Sequence, residues 1–343
     1  MKKYGVVLIG CGHIGQQHLE DIYYRENISI VGVVDTTESQ AELFASKYGA
    51  RHYSTDYREL VALPETDIVI IATWVRTHYE ILKYCIAAGK HVLCEKPLCA
   101  DYDESEKAFA LIENAPVKVQ LALILRHNRS YQKIQELISD GAIGTPTLFR
   151  MVQNHHAQNW SRYQSLLSDC PSFFDCGVHY FDIVSWFTGS SIQEVHADAA
   201  FLDSDCSCEN YGIVHLKTKS GCTIVYEAGW GKSLPADAQK LFVGSKGYIT
   251  LTLAADRPYS HEQGDLITVY HSDTEQYELI NQPSVYKSMY AQLCALITAI
   301  ETESETTPSL SQVREATRAA FAAVQSAHSG KTVSLEQTAV SPL

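Results

Sequence analysis

The feature that most constrains this chain is the alternation in its first third. Continuous apolar runs, KYGVVLIG, ISIVGVVD, DIVIIAT, HVLCEK and VKVQLALIL, alternate with stretches that read as helices, HIGQQHLEDIYY, ESQAELFASKYG, HYEILKYCIAAG and DYDESEKAFALIENA. A strand that is apolar at every position has to be covered on both faces. Strands of that kind separated by helices predict a doubly wound parallel sheet. Gly49 and Gly89 stand where two of the helices should stop.

The pattern then changes. SYQKIQELISDGAIG reads as a helix and TPTLFRMVQNH as a strand. From about Ile192 to Leu279 short strands dominate, and KSGC and GSKG supply turns between some of them. This part predicts an antiparallel sheet, so the fold class is α/β followed by α+β. The tail reads as two helices, Tyr286 to Glu301 and Gln312 to Ser329, the second with an alanine-rich amphipathic face and a stop at Gly330. The second sheet has too few helices to cover both faces. An uncovered apolar face predicts a homodimer or homotetramer.

A length of 343 residues and a hydrophobic fraction of 45% suit roughly two packed domains. The net charge of −13, without a block of Lys or Arg, argues against nucleic acid or an anionic membrane as partner. No apolar run approaches the roughly 20 residues that span a bilayer. MKKYGVVLIGCGHIG has a signal peptide's outline, but its apolar run is short and runs into glycines. Most of the ten cysteines, such as Cys85, Cys94 and Cys294, lie in apolar runs, which predicts reduced thiols and a cytoplasmic protein. Cys206 and Cys208 form the only close pair, in DSDCSCEN. With no CxxC and no second pair, they read as a solvated loop, and no metal is expected.

GCGHIG, residues 10 to 15, sits between the first strand and the first helix. In that context Gly10 permits the tight turn and Gly12 leaves room for a pyrophosphate against the backbone. Gly15 lets the helix pack closely, and the helix N-terminus, with His13 and Ile14, faces the phosphates. Asp35 ends the second strand about 20 residues beyond Gly15, where its carboxylate would accept from the adenosine ribose hydroxyls. It would repel a 2′-phosphate, and TTESQ offers no cation to hold one, so NAD is expected over NADP. The loop ATWVRTHYE follows the third apolar strand, where Thr73, Trp74 and His78 could meet the cofactor. His78 reads equally well as a helix N-terminal residue.

The fourth apolar strand runs into EKPL. Lys96 at a buried strand end needs a ligand or a carboxylate, and Glu95 precedes it. Pro97 holds Lys96 extended. In FFDCGVHYFDIVSWFTG, read as one helix, Asp175, His179, Asp182 and Trp186 share a stripe. The bland reading is a core histidine satisfied by an aspartate. The functional one makes His179 a general base supported by Asp175, with Asp182 anchoring backbone or the other domain.

GCGHIG, VVD, EKPL and the D-x-G-x-H-x-x-D helix, in this order and spacing, resemble the glucose–fructose oxidoreductase/inositol dehydrogenase (Gfo/Idh/MocA) family. The likeness covers nearly the whole chain and includes LRHNRSYQKIQELISDGAIGTPTLFR and LFVGSKGYITL. It implies a Rossmann NAD-binding domain over 1–123 and a substrate-binding and oligomerisation α+β domain over 124–343, with an open, mostly antiparallel sheet. It implies hydride transfer between NAD(P) and a hydroxyl or keto carbon of a sugar, inositol or related polyol. Lys96 would bind the reacting oxygen, His179 would take or return its proton, and Asp175 would support them. Glu95 and Lys96 would border the cofactor. Arg126, His155, Trp230 and Tyr286 are the candidate substrate contacts. The departure is TWVRTHYE, since relatives commonly carry proline and asparagine in this loop where Trp74 and Arg76 stand. Two other readings are an NAD-retaining glycosidase or epimerase acting through transient oxidation, and a catalytically silent NAD-binding sensor.

Overall fold

A computed structural model describes residues 2–257, 264–283 and 287–336. In chain order the first elements are β1 (Tyr4–Ile9), α1 (His13–Ile22), β2 (Ile28–Val34), α2 (Glu38–Tyr48), β3 (His52–Ser54), α3 (Tyr57–Val61), β4 (Ile68–Ile71), α4 (His78–Ala87), β5 (His91–Cys94), α5 (Tyr102–Glu113) and β6 (Val119–Leu121). Then come α6 (Arg129–Ser139), β7 (Pro146–His156), α7 (Trp160–Leu167), α8 (Ser172–Asp175), α9 (Gly177–Thr188), β8 (Ile192–Ala200), β9 (Tyr211–Thr218) and β10 (Thr223–Gly231). The last are β11 (Lys240–Gly244), β12 (Gly247–Thr252), β13 (Asp265–His271), β14 (Gln276–Gln282), α10 (Met289–Glu301), α11 (Leu310–Ser329) and β15 (Val333–Ser334).

The chain divides into two compact units, Met1–Ile124 with Lys287–Val313, and Leu125–Tyr286 with Arg314–Leu343. The first is built on a parallel six-stranded sheet in the order β3-β2-β1-β4-β5-β6. β1 and β4 are buried at every residue, which is why their runs are continuously apolar. The order reverses between β1 and β4, so the turns after these two strands open at the switch point where such sheets bind ligands. The expected boundary at 123/124 leaves out one segment of this unit, Lys287–Val313. Leu293, Leu296 and Ile297 of α10 are buried in one apolar cluster with Leu19 and Ile22 of α1. Each such side chain contributes roughly 1.5–3 kcal/mol when buried, enough to bring the segment back. β3 and α3, three and five residues long, are too short to show a period in the sequence.

The second unit carries a nine-stranded sheet in the order β14-β13-β12-β11-β7-β10-β9-β8-β15. It is antiparallel throughout except for the pair β7 and β10. Phe149, Ile224, Tyr226 and Phe242 point to the face that packs under α8, α9 and α11 and are fully buried. The alternate positions are less covered. Leu148, Tyr277 and Leu279 are exposed, and Tyr248, Tyr270 and Tyr277 form a ring ladder across β12, β13 and β14. No helix among the described residues is long and apolar enough to cross a membrane.

Candidate active site

In the first unit the sequence-predicted cofactor residues gather at the carboxyl ends of β1, β2, β4 and β5. The three glycines have three different reasons. Gly10 has φ +100°, and a Cβ there would stand 2.5 Å from the Ala72 carbonyl oxygen. A Cβ on Gly15 would stand 2.0 Å from the Gly10 carbonyl oxygen, so α1 could not approach its own turn. Gly12 is different: its φ of −84° suits any residue, and a Cβ would meet nothing within 4 Å. Neither backbone nor packing demands glycine there, so the open space before the α1 N-terminus fits a ligand's diphosphate. His13 is exposed and Ile14 half-buried beside it. Gly12→Ala is therefore expected to keep the wild-type melting temperature while weakening NAD binding. Calorimetry of both properties checks this, and unchanged NAD affinity counts against a ligand at Gly12.

Asp35 follows β2, and its carboxylate accepts from the Cys11 amide at 3.0 Å and the Thr37 amide at 2.9 Å. These bonds hold it beside the glycine turn as an oriented acceptor. The loop after β4 presents Trp74, 44% exposed, with Arg76 stacked over its ring at 5.6 Å. Thr77 donates to the Thr73 hydroxyl at 2.8 Å. His78 is buried, and both of its ring nitrogens face backbone carbonyls, Pro97 at 2.9 Å and Thr73 at 3.2 Å. Burial holds this imidazole below its usual pKa despite these contacts. His78 is the first residue of α4, and its ring ties the β4 loop to the EKP segment.

Glu95 and Lys96 follow β5, and the Lys96–Pro97 peptide is cis. Burial alone would raise the Glu95 carboxyl, but a 2.9 Å bond from His18 and nearby positive charge outweigh it and lower its pKa. Glu95 thus braces α1 through His18, a residue the sequence did not single out. Lys96 itself is half-buried.

In the second unit, the expected single helix is broken at Cys176 into α8 and α9. From Pro171 to Val184 every residue is buried except Asp175 and His179, which are half-buried. Those two therefore keep a polar opening on an otherwise sealed segment. Asp182 does not join them. It is 1% exposed and accepts a bidentate pair from Arg126, 2.6 Å to Nε and 2.7 Å to an Nη. Burial raises the Asp182 carboxyl pKa, and the Arg126 guanidinium offsets only part of that rise. The expectation that Arg126 contacts substrate is accordingly replaced by an internal ion pair, with its guanidinium over the Trp186 ring at 4.7 Å.

His155 and Trp230 are register partners at the ends of the parallel strands β7 and β10. Tyr163 of α7 lies over both, 6.3 Å from the His155 ring and 5.5 Å from Trp230. Trp230 is 3% exposed, so it supports this surface from beneath and does not line an opening. Tyr286 lies outside the described residues. Sequence reasoning missed Tyr163, because α7 is short, and Gln153, which sits two residues before His155 on the same face of β7 and has a buried Oε1 without a hydrogen-bond partner. Extending the alternation of Phe149 and Met151 along β7 would have found Gln153. Cys206 and Cys208 lie on a loop, where the Cys208 thiol donates to the Leu167 carbonyl at 2.9 Å.

A parallel sheet with this glycine turn, an acid after β2 and a lysine after β5 defines an NAD-binding Rossmann oxidoreductase. Residues 4–123 match the oxidoreductase family with an NAD-binding Rossmann fold, and residues 131–250 match the GFO/IDH/MocA C-terminal domain. The chain belongs to the Gfo/Idh/MocA family. It is 26% identical over 343 residues to the oxidoreductase YrbE of Bacillus subtilis, covering 96% of each chain. It is 27% identical over 246 residues to the myo-inositol 2-dehydrogenase of Thermotoga maritima, covering 71% of this chain and 73% of that one. An oxidoreductase from Agrobacterium radiobacter, solved with NAD+, L-tartaric acid and magnesium, shares the fold with a TM-score of 0.85 at 19% identity, covering 98% of this chain and 99% of that one.

Proposed function

We propose that this protein is an NAD-dependent dehydrogenase of a sugar, inositol or related polyol. The observation that carries the reading is the half-buried Asp175–His179 pair on a segment otherwise sealed from Pro171 to Val184. Its family membership and its inositol dehydrogenase relatives support the substrate class. Bound NAD supplies the hydride acceptor for the carbinol carbon. Lys96 binds the reacting hydroxyl oxygen and stabilises the negative charge that develops on it. His179 removes the hydroxyl proton, and Asp175, four residues earlier, orients the imidazole. Gly10, Gly12 and Gly15 shape the cofactor turn, and Asp35 holds the adenosine ribose. His155, with Tyr163 over it, contacts the polyol.

The test is NADH absorbance with purified protein, NAD and a panel of sugars, inositols and sugar acids. NADH formation on one class supports the reading. Turnover that needs no added cofactor would replace it with transient oxidation.

NAD is expected to bind more tightly than NADP, since the Asp35 carboxylate would face a 2′-phosphate. Asp35→Ser should narrow the gap in titration calorimetry. Equal affinities in the wild type would refute the role of Asp35.

The half-open sheet face supports a homodimer or homotetramer. Lys substitutions at Leu148 and Leu279, both exposed there, should shift light scattering toward the 38.2 kDa monomer. A wild-type monomer at micromolar concentration overturns the assembly.

A further inference from the structure

Lys240, at the start of β11, is a buried lysine that the reading above does not use. It is 3% exposed. Its place follows from a break in the sheet. Around the β7–β11 junction, Asn154 and Asp237 exchange both backbone bonds, at 2.8 and 3.0 Å. Two residues further along, the Val152 amide donates to the Gln239 carbonyl at 2.9 Å. The return bond is missing, because the Gln239 amide donates to the Asp237 carboxylate at 3.1 Å instead. The Lys240 ammonium fills that gap. It donates to the Val152 carbonyl and, at 3.0 Å, to the Ala238 carbonyl. Its third side lies over the Tyr180 ring, 5.0 Å from the centroid.

This one ammonium joins two elements that matter to the chemistry. The Val152 carbonyl belongs to the peptide that precedes Gln153, two residues before His155. Tyr180 directly follows His179 on α9. We propose that Lys240 is a positioning residue for the reaction, a cationic peg that sets the His179 turn of α9 against the His155 end of β7. The proposal rests on the reading of His179 as the base.

A lysine here is costly for the fold. The ionisable or charged groups around it are Asp237 on the approach to β11, Asp256 in the turn after β12 and Cys176 between α8 and α9, with the Tyr180 phenol on α9. Burial outweighs the attraction of these groups and pushes the ammonium down to about 7. A lysine whose folded pKa is depressed withdraws stability as pH falls below its unfolded value of about 10.4. The withdrawal is complete below about 7. A buried methionine of similar length would avoid that cost. The charge at this position thus costs the fold its desolvation, and what it returns is two buried carbonyls satisfied and a ring held in register with them.

The test compares Lys240→Met, Tyr180→Leu and His179→Ala with the wild type in melting temperature, NAD affinity, kcat, KM and the pH profile of kcat. Lys240→Met removes the ammonium's desolvation cost but leaves two carbonyls without this donor, so it is expected to melt near the wild-type temperature at pH 7 and to bind NAD unchanged. Its kcat should fall on the order of 10²-fold, the cost of misplacing a reacting group by about 1 Å. Tyr180→Leu keeps both carbonyl contacts and should lose kcat severalfold. The wild-type profile should decline on its alkaline side as the peg loses its charge, and Lys240→Met should lack that decline. If His179→Ala is inactive while Lys240→Met keeps wild-type kcat and pH profile, the base stands and the peg falls. If Lys240→Met loses stability in proportion to activity, and Tyr180→Leu is fully active, Lys240 only holds the fold and the proposal falls. If His179→Ala retains wild-type turnover, the base reading fails and the positioning role falls with it.

Discussion

His179→Ala is expected to lower turnover roughly 10²–10⁴-fold, the usual worth of a positioned general base, with NAD affinity nearly unchanged. Gly10, Gly12, Gly15 and Asp35, proposed here for the cofactor, belong to the first unit and His179 to the second. The substitution should also be gentle on the fold, because His179 is half-buried among fully buried neighbours and its loss opens no deep cavity. Asp175→Asn should cost less, since it perturbs the imidazole without removing it. Lys96→Ala should lose both turnover and substrate affinity, because one group supplies a charge and a hydrogen bond. Stopped-flow hydride transfer separates these effects from product release. On the acidic side the rate should fall as the base takes up a proton. Wild-type hydride transfer by His179→Ala across the pH range would make the Asp175–His179 pair structural.

The second large effect concerns stability. Arg126→Ala is expected to destabilise the second unit by about 3–5 kcal/mol, the typical penalty for orphaning one member of a buried ion pair. Arg126 and Asp182 are 5% and 1% exposed, and the pair is bidentate. Removing the guanidinium leaves a carboxylate that water cannot reach. In a unit of this size the loss should lower the melting temperature by ~2–4 °C for each kcal/mol. The double variant Arg126→Met with Asp182→Leu should recover most of it, because no charge is then left without a partner. Calorimetric melting of the three variants decides the matter. A normal melting temperature with a raised KM for Arg126→Ala would return this residue to the substrate.

Much of this was legible in the sequence, for local reasons. The continuous apolar runs required a sheet covered on both sides, and β1 and β4 are buried at every residue. GCGHIG between an apolar strand and a helix announced a ligand turn, and the structure adds that backbone and packing demand glycine at 10 and 15 but not at 12. The polar residues Asp175 and His179 stood out in an otherwise apolar run, and they are the two half-buried positions between Pro171 and Val184. These signals lie within a window of a few residues, where period and turn chemistry act directly.

What the tertiary structure decided depends on partners far along the chain. Arg126 and Asp182 are 56 residues apart in sequence, and nothing near either of them shows that they pair. The return of α10 to the first unit depends on an apolar face of α1 more than 260 residues earlier. Trp230 reads from sequence as an available aromatic ring, but Tyr163 from α7 covers it. Lys240 occupies a gap that exists only because the register of β7 against β11 lacks one backbone bond. Sequence fixes which residues can be helix, strand or turn because those preferences are properties of short segments. Which buried charge meets which, and which ring is sealed, is settled only when distant segments pack, because only packing removes the water that would otherwise satisfy them.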